Sequence, residues 1–562
     1  MCTCQLTFVL ASTGGLHAVD LIVVFLYMTG ILLAGWYFSR NQKETQQFFV
    51  GGRSMPWMAV GLSIIATMLS TLTYLAAPGE LIQHGPALAL GWLSIPITFV
   101  IVNWLWIPFF MKLKVTSVYE YLEPRFGLAT RWVAVALFVF VLRLLWMAMI
   151  VLTASIAVAH ITGPIAQQSL PWHPGINQWT VTVLLSVGLL ATVYTMLGGI
   201  KAVIWTDVAQ FVALVAGIIF TLIFVTIETS TGPVQWWQNL VENSNSGKGF
   251  PAWFSFDPTE RNVILFTVLN TTFWYTCTFV ADQVAVQRYL TTSSVKAARL
   301  GNVVNFIGDF VVMTLLALCG MALLTFYLDP AQQTEIVAGI TDPRHPDVAD
   351  DVFPHFIAYG LPVGISGLVI AALFAVAMSS LDSGINSVAA VFTVDIARRR
   401  NPDMTEPAAL RLARKLSLIV GVTCTATAYV MYLLPSDYNI IGVAARTFNL
   451  ALGPLGIMFI AGLFFRRVGQ RAILVGVAGS LLIAVITAWY VELAWLFGFT
   501  SYESFEVTQA NMNGPSPFLI TPFATVGGLL IALVASFFWP NTNPQTEQYL
   551  WRSIVNRPET DQ

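Results

Sequence analysis

Residues 85–111 read GPALALGWLSIPITFVIVNWLWIPFFM and contain no charged side chain. A helix needs about 20 apolar residues to cross the hydrocarbon core of a bilayer, so this stretch is long enough to span it. A backbone in lipid must satisfy its own hydrogen bonds, which makes a long apolar segment a helix. The stretch therefore predicts a transmembrane helix.

Similar apolar stretches recur along the whole chain. Thirteen are found, near residues 20–38, 56–80, 85–111, 131–160, 178–199, 202–227, 262–290, 300–328, 353–395, 414–434, 439–465, 472–494 and 518–540. Only 10% of the 562 residues are charged, whereas a soluble domain has roughly 25%. The composition predicts an all-α polytopic membrane protein. Its net charge of −2 indicates no nucleic-acid partner.

The basic residues predict an orientation. With the N-terminus outside, 22 of the 27 Lys and Arg residues, Arg288 among them, fall on the inside. This is the bias expected of cytoplasmic loops. Thirteen spans then place the C-terminus inside. We expect a single transmembrane domain over residues 1–562.

Charged side chains within spans are costly and mark candidate functional sites. The main ones are Arg143, Asp207, Asp309, Asp382 and Arg446. Glu120, Glu123 and Asp282 lie nearer the predicted cytoplasmic boundary, where interfacial salt bridges are the favoured interpretation.

The stretch 371–393, AALFAVAMSSLDSGINSVAAVFT, has hydroxyls at helical spacing. Positions i, i+3, i+4 and i+7 share one helix face. They are occupied by Val376, Ser379, Ser380 and Ser383. Oxygen ligands suit a hard cation such as sodium, although a helix-packing seam of small residues has the same spacing. The adjacent carboxylate of Asp382 favours the ion site.

A second hydroxyl-rich stretch, VGLSIIATMLSTLTYLAAPG, covers residues 60–79. Transporter sites form where a spanning helix is broken, because the freed carbonyls can bind a cation. Pro78 and Gly79 lie near the end of the stretch, so they indicate a break near its middle only weakly.

Five motifs in this order resemble the sodium/solute symporter family. They are FFVGGRSMPWMAVGLSIIAT (48–67), LKVTSVYEYLEPRFG (113–127), YTMLGGIKAVIWTDVAQ (194–210), DQVAVQRYL (282–290) and AMSSLDSGINS (377–387). The resemblance implies a five-plus-five inverted-repeat core over about residues 56–465. Helices 20–38, 472–494 and 518–540 would be peripheral.

The resemblance also implies a bound Na⁺. Its ligands would be the carbonyls of Ala66, Leu69 and Val376 and the hydroxyls of Ser379 and Ser380. Some relatives have a second cation site at the carboxylate of the WTD motif. In this chain that site would combine Asp207 with Asp382, Ser383 and Ser380. Many relatives have Ser or Thr where this chain has Asp382, and two carboxylates suit a further cation or a proton.

The solute positions depart from the sugar-carrying relatives, which have Asn where this chain has Met68 and polar groups near Leu72 and Thr73. Phe279 is an approximate match to the aromatic inner gate of the family. The motifs at 113–127 and Pro78–Glu80 are instead similar to the monocarboxylate, vitamin and iodide branch.

Two arginines within spans, Arg143 and Arg446, bear on the charge of the solute. A guanidinium can bind a carboxylate through two parallel hydrogen bonds, which favours an anionic solute. The alternative, that each arginine pairs with a buried acid, stays open.

We therefore expect a sodium-coupled symporter in the plasma membrane that imports a carboxylate similar to a monocarboxylate, a vitamin or sialic acid. A sodium-coupled sugar or inositol symporter is the main alternative, and a solute sensor or a channel is a further one. No enzyme motif stands out, since the histidines lack metal-ligand spacing. Sodium, the solute and the lipid bilayer are the expected partners, without an obligate protein partner.

Overall fold

The computed structural model describes residues 16–39, 44–243, 252–260, 263–329, 340, 342–349, 351–434, 440–499 and 512–557. Within these residues the chain is helical, and its only strand-like pairings are two isolated bridges. The first twelve helices are α1 Ala18–Ser39, α2 Thr45–Val50, α3 Trp57–Met68, α4 Thr71–His84, α5 Ala89–Leu113, α6 Leu122–Phe126, α7 Leu128–Gln168, α8 Ile176–Thr229, α9 Pro233–Asn243, α10 Ile264–Ala281, α11 Gln283–Leu290 and α12 Val295–Leu328. The remaining helices are α13 Pro346–Ala349, α14 Val352–Tyr359, α15 Ile365–Arg398, α16 Glu406–Tyr432, α17 Ile440–Phe464, α18 Gln470–Ala488, α19 Tyr490–Leu496, α20 Ile520–Phe538 and α21 Trp551–Val555.

Among the described residues, eleven helical segments are long and apolar enough to cross a membrane. The number is twelve if the segments Thr45–Arg53 and Trp57–Met68, which meet at 111°, count as one broken span. The polytopic all-α architecture is thus confirmed.

The predicted span at 56–80 is divided in the structure. Helix α3 ends at Met68, Leu69 and Ser70 are extended, and α4 begins at Thr71. Each half is too short to cross a bilayer alone. The Ser70 hydroxyl accepts a hydrogen bond from the Thr73 amide at 3.2 Å, so the second half starts with a side-chain cap.

Helix α8 covers two predicted spans, 178–199 and 202–227. Its 54 residues would make a straight helix about 80 Å long, far longer than a bilayer is thick. Gly199 interrupts it with φ 55° and ψ −163°, which is a conformation that only glycine adopts readily. A Cβ at Gly199 would also lie 2.8 Å from the carbonyl oxygen of Phe48. This glycine therefore sets the bend between the two halves of α8.

Helix α15 is buried along nearly all of its length and packs against α1, α7, α8 and α16. It carries the serine-rich face identified in the sequence. A helix in this central position can present polar side chains away from lipid, as membrane-embedded polar groups require.

We predict that Gly199→Ala destabilises the protein, because alanine adds backbone strain of about 1–3 kcal/mol and a close contact with Phe48. Thermal unfolding in detergent measures the effect. Gly30→Ala is the matched control, since a Cβ there meets nothing within 4 Å. Equal unfolding temperatures for the two variants would contradict this account of the bend.

Candidate functional site

The break between α3 and α4 faces the serine pair of α15. The Ser379 hydroxyl donates to the carbonyl oxygen of Ala66 at 2.9 Å, and the carbonyl oxygen of Val376 lies at the same distance. The Ser380 hydroxyl lies 3.2 Å from the carbonyl oxygen of Thr67 and 3.5 Å from that of Leu69. The structure thus brings the five predicted sodium ligands to one place.

This place has the electrostatics that a cation prefers. The last carbonyls of a helix have no partner within the helix and form the negative end of its dipole. Ala66 and Thr67 lie in the last turn of α3, and Leu69 follows its end. All five predicted ligand residues are buried, so water does not screen the carbonyls strongly.

A buried charged cluster lies beside these oxygens. Asp207 Oδ2 accepts hydrogen bonds from Ser63 at 2.5 Å and from Thr67 at 3.3 Å, and it forms a salt bridge with Arg288 at 3.1 Å. The other oxygen, Asp207 Oδ1, is buried and has no hydrogen-bond partner among the described residues. That oxygen is available to a ligand.

Arg288 changes the predicted electrostatics of this cluster. Its placement in an inside loop was wrong, because residues 283–290 form the buried helix α11 and the side chain has no exposed surface. The guanidinium donates to Ser63 at 2.9 Å and to Thr67 at 2.5 Å. It also donates to the Ser383 hydroxyl. Asp207 therefore has a cationic partner.

The second carboxylate of the cluster, Asp382, accepts hydrogen bonds from the Tyr194 hydroxyl and, at 3.0 Å, from Ser383. No Lys or Arg of the described residues forms an ion pair with it. Asp207, Asp382 and Arg288 together carry one uncompensated negative charge when ionised. Three of the four residues predicted for the second cation site, Asp207, Asp382 and Ser383, thus belong to one cluster with an excess carboxylate.

The two arginines proposed to bind solute each have an acidic partner. Arg143 forms a buried ion pair with Asp282. Arg446 pairs with Glu492 at 2.6 Å, and about a third of each side chain is exposed. Pairing with a buried acid is therefore what the structure shows for Arg143, whereas the acid that pairs with Arg446 is partly exposed. A contact with solute stays a prediction for both.

Glu123 and Glu120, two of the acids predicted to lie near the cytoplasmic boundary, have different partners. Glu123 forms ion pairs with Arg131 and Arg399, each at 2.7 Å, so the salt-bridge interpretation is confirmed there. Hydrogen bonds from Arg399 and then Arg131 lower the pKa of Glu123 to about 2. Glu120 instead accepts hydrogen bonds from the backbone amides of residues 116 and 117.

The other predicted solute positions lie near two helix breaks, the one between α3 and α4 and the one at Asp282 between α10 and α11. Met68 ends α3, and the Thr73 hydroxyl lies 3.1 Å from that of Ser70. The side chain of Leu72 lies outside the described residues. Phe279 is buried shortly before the break at Asp282, with its ring stacked on Phe306 at 6.0 Å.

Sequence reasoning missed an aromatic group that the packing of three helices assembles. The Phe448 ring lies 4.7 Å from that of Trp146 and 6.0 Å from that of Trp274. The three residues belong to α17, α7 and α10, which are far apart in sequence. No spacing rule connects them, so only the fold reveals the group.

We predict that Arg288→Met lowers the free energy of unfolding by about 3–5 kcal/mol, because it leaves Asp207 buried without its cation. Arg466→Met is the control, since its pair with Glu547 is exposed and should contribute about 0–1 kcal/mol. Thermal or chemical unfolding in detergent compares the two. Similar losses in both would contradict the role of the buried pair.

Comparison with known proteins places the chain in a family. A family model for the sodium:solute symporter family matches residues 48–479. The sodium/sialic acid symporter NanT of Aliivibrio fischeri is 31% identical, over 82% of this chain and 86% of its own length. Sodium-coupled monocarboxylate transporter 1 of Xenopus laevis is 27% identical, over 84% of this chain and 72% of its own length.

Solved structures show the same fold. A Na⁺-coupled sialic acid symporter in a substrate-bound outward-open state has a TM-score of 0.74 at 24% identity, covering 94% of this chain and 100% of the other. Mhp1, a nucleobase-cation-symport-1 family transporter, has a TM-score of 0.52 at 14% identity, covering 90% of this chain and 98% of the other. The extent of the family match and the identity to NanT show that this chain belongs to the sodium:solute symporter family.

Proposed function

We propose that this chain is a sodium-coupled symporter that imports a small organic carboxylate across the plasma membrane. The observation that carries the proposal is the convergence of two serine hydroxyls with the carbonyls released at a helix break. Family membership supports sodium coupling, and the sialic acid and monocarboxylate relatives support an acidic solute.

We propose the thirteen-span topology with the N-terminus outside and the C-terminus inside. Two features account for the difference from eleven segments. Helix α8 forms two spans joined at Gly199, and α3 with α4 forms one span broken at Leu69 and Ser70. The core would then cover about residues 56–465, with helices 20–38, 472–494 and 518–540 around it.

Sodium would link the two halves of the site. In the structure the hydroxyls of Ser379 and Ser380 satisfy the carbonyls of the break by hydrogen bonds. A sodium ion accepts oxygen lone pairs from both groups, so its binding favours the conformation in which α3 and α15 are held together. Coupling requires that this conformation also binds the solute better than its alternatives.

A second cation would occupy the cluster of Asp207, Asp382 and Ser383. The uncompensated charge and the free Asp207 Oδ1 support this assignment. Arg288 already compensates one carboxylate, so the cluster suits one monovalent ion or one proton rather than two.

The solute would bind beside the break, near Met68, Leu72, Thr73 and Phe279. Arg143 would contact a carboxylate only by sharing its guanidinium with Asp282. Arg446 would likewise share its guanidinium with Glu492.

Uptake into proteoliposomes tests the function. We predict that an inward sodium gradient drives accumulation of a carboxylate solute, whereas a matched potassium gradient does not, because the site lies among oxygens at close spacing. Candidate solutes are sialic acid, short monocarboxylates, and a sugar as comparison. Equal accumulation without a sodium gradient would overturn the proposal.

The sodium site has its own test. We predict that Ser380→Ala and Asp207→Asn each raise the sodium concentration for half-maximal uptake by roughly 5- to 50-fold, equivalent to about 1–2.3 kcal/mol for the loss of one ligand or hydrogen-bond acceptor. Ser417→Ala is the control, because that hydroxyl bonds only within its own helix, to Ala413 at 3.0 Å. Unchanged sodium dependence in both site variants would remove the assignment.

A further inference from the structure

We infer that the first helix, α1, contributes to sodium binding because its residue Asp20 positions α15, the helix that carries the serine pair. The inference rests on the proposed function, since it concerns the same sodium site. The family resemblance places this helix at the periphery. From that position α1 packs against α15 and against α8, the helix that carries Asp207.

Asp20 caps α15 from another helix. Its Oδ1 accepts hydrogen bonds from the backbone amides of Gly364 at 2.7 Å and Gly367 at 2.8 Å. Its Oδ2 accepts one from the amide of His17 at 2.9 Å. The residue is 1% exposed. A buried carboxylate with three backbone donors has a defined geometry that an acid facing solvent lacks.

The position of this carboxylate has a clear electrostatic reason. The first amides of a helix have no partner within it, and they form the positive end of its dipole. Helix α15 begins at Ile365. Its own cap residue, Gly364, has no side chain that could accept hydrogen bonds from these amides. Asp20 supplies both the acceptor and the negative charge.

The two helices also approach closely at this point. A Cβ at Gly367 would lie 2.6 Å from Asp20 Cα and 2.7 Å from its carbonyl oxygen. No side chain fits at Gly367 without moving one of the helices. The glycine thus permits the contact that Asp20 makes.

The same side of α1 continues to the charged cluster. The Tyr27 hydroxyl is buried and has no hydrogen-bond partner among the described residues. A Cβ at Gly35 would lie 2.7 Å from Cβ of Tyr194, the residue whose hydroxyl bonds to Asp382. Asp20, Tyr27 and Gly35 fall on one side of the helix at 100° per residue.

The opposite side of α1 is exposed, as expected of a lipid-facing surface. Phe25, Leu26 and Tyr37 are each more than 60% exposed. The helix therefore has one face against α8 and α15 and another facing outward. A shift of α1 would move the start of α15, and the rigid helix would carry that shift to Val376, Ser379 and Ser380.

The test compares Asp20→Ala, Asp20→Asn and Gly367→Ala with Asp257→Ala, a control at an exposed acid whose carboxylate bonds only within its own loop. Two quantities are measured in proteoliposomes: the sodium concentration for half-maximal uptake, and the KM for solute at saturating sodium. Sodium-dependent protection against heat is measured in detergent on the same proteins.

We expect Asp20→Ala to raise the half-maximal sodium concentration roughly three- to tenfold, the range for loss of a charge at a helix end. The solute KM at saturating sodium should stay within about twofold. Asp20→Asn should give a smaller rise, because its amide oxygen can still accept the backbone hydrogen bonds, although more weakly than a carboxylate does. Gly367→Ala should act like Asp20→Ala, and the control should act like the native chain.

Native sodium affinity in Asp20→Ala would overturn the positioning role. Should that variant fail to fold, native sodium affinity in Asp20→Asn would do the same. A purely structural role would lower heat stability in every buffer and leave the half-maximal sodium concentration unchanged. Sodium-independent uptake by the native chain would overturn the proposed function itself, which separates the two failures.

Discussion

The structure depends on how backbone carbonyls are satisfied where a membrane helix is interrupted. In lipid there is no water to donate hydrogen bonds to such carbonyls, so protein groups or a ligand must satisfy them. Here α3 stops at Met68, and the hydroxyls of Ser379 and Ser380 reach its last carbonyls. The same oxygens that keep the break stable in the fold are those that bind sodium in the proposed function.

Buried charge organises the rest of the site in the same way. Several buried charged groups of the described residues are paired, such as Arg143 with Asp282 and Arg288 with Asp207. Asp382 has hydroxyl partners but no guanidinium or ammonium. A cation at this position would complete the charge balance, so binding of an ion and stability of the core become linked. An effect of sodium on stability as well as on transport follows from this arrangement.

The sequence predicted the features that depend on regular spacing. Long apolar stretches predicted the helices, and the spacing of Ser379 and Ser380 predicted a shared polar face. Features that depend on an interruption were harder. Pro78 and Gly79 drew attention to the end of the segment, whereas the break lies at Leu69 and Ser70, which carry no strong helix-breaking signal.

Contacts between distant segments were beyond the reach of the sequence. Arg288 looked like one of several basic residues in an inside loop, because nothing in its neighbourhood shows that α11 folds back into the core. The sequence around Asp20 does not reveal its role, because the amides it caps are more than 340 residues away. The contacts that define both residues are visible only in the packed helices.

The most direct test of the account is equilibrium binding of radioactive sodium to the purified protein, without solute. The native chain is compared with the double variant Ser379→Ala, Ser380→Ala. The account predicts saturable sodium binding by the native chain that excess potassium does not displace, and a loss of that binding in the folded double variant. Equal sodium binding by the two proteins would contradict the claim that these hydroxyls and the carbonyls of the break hold the ion.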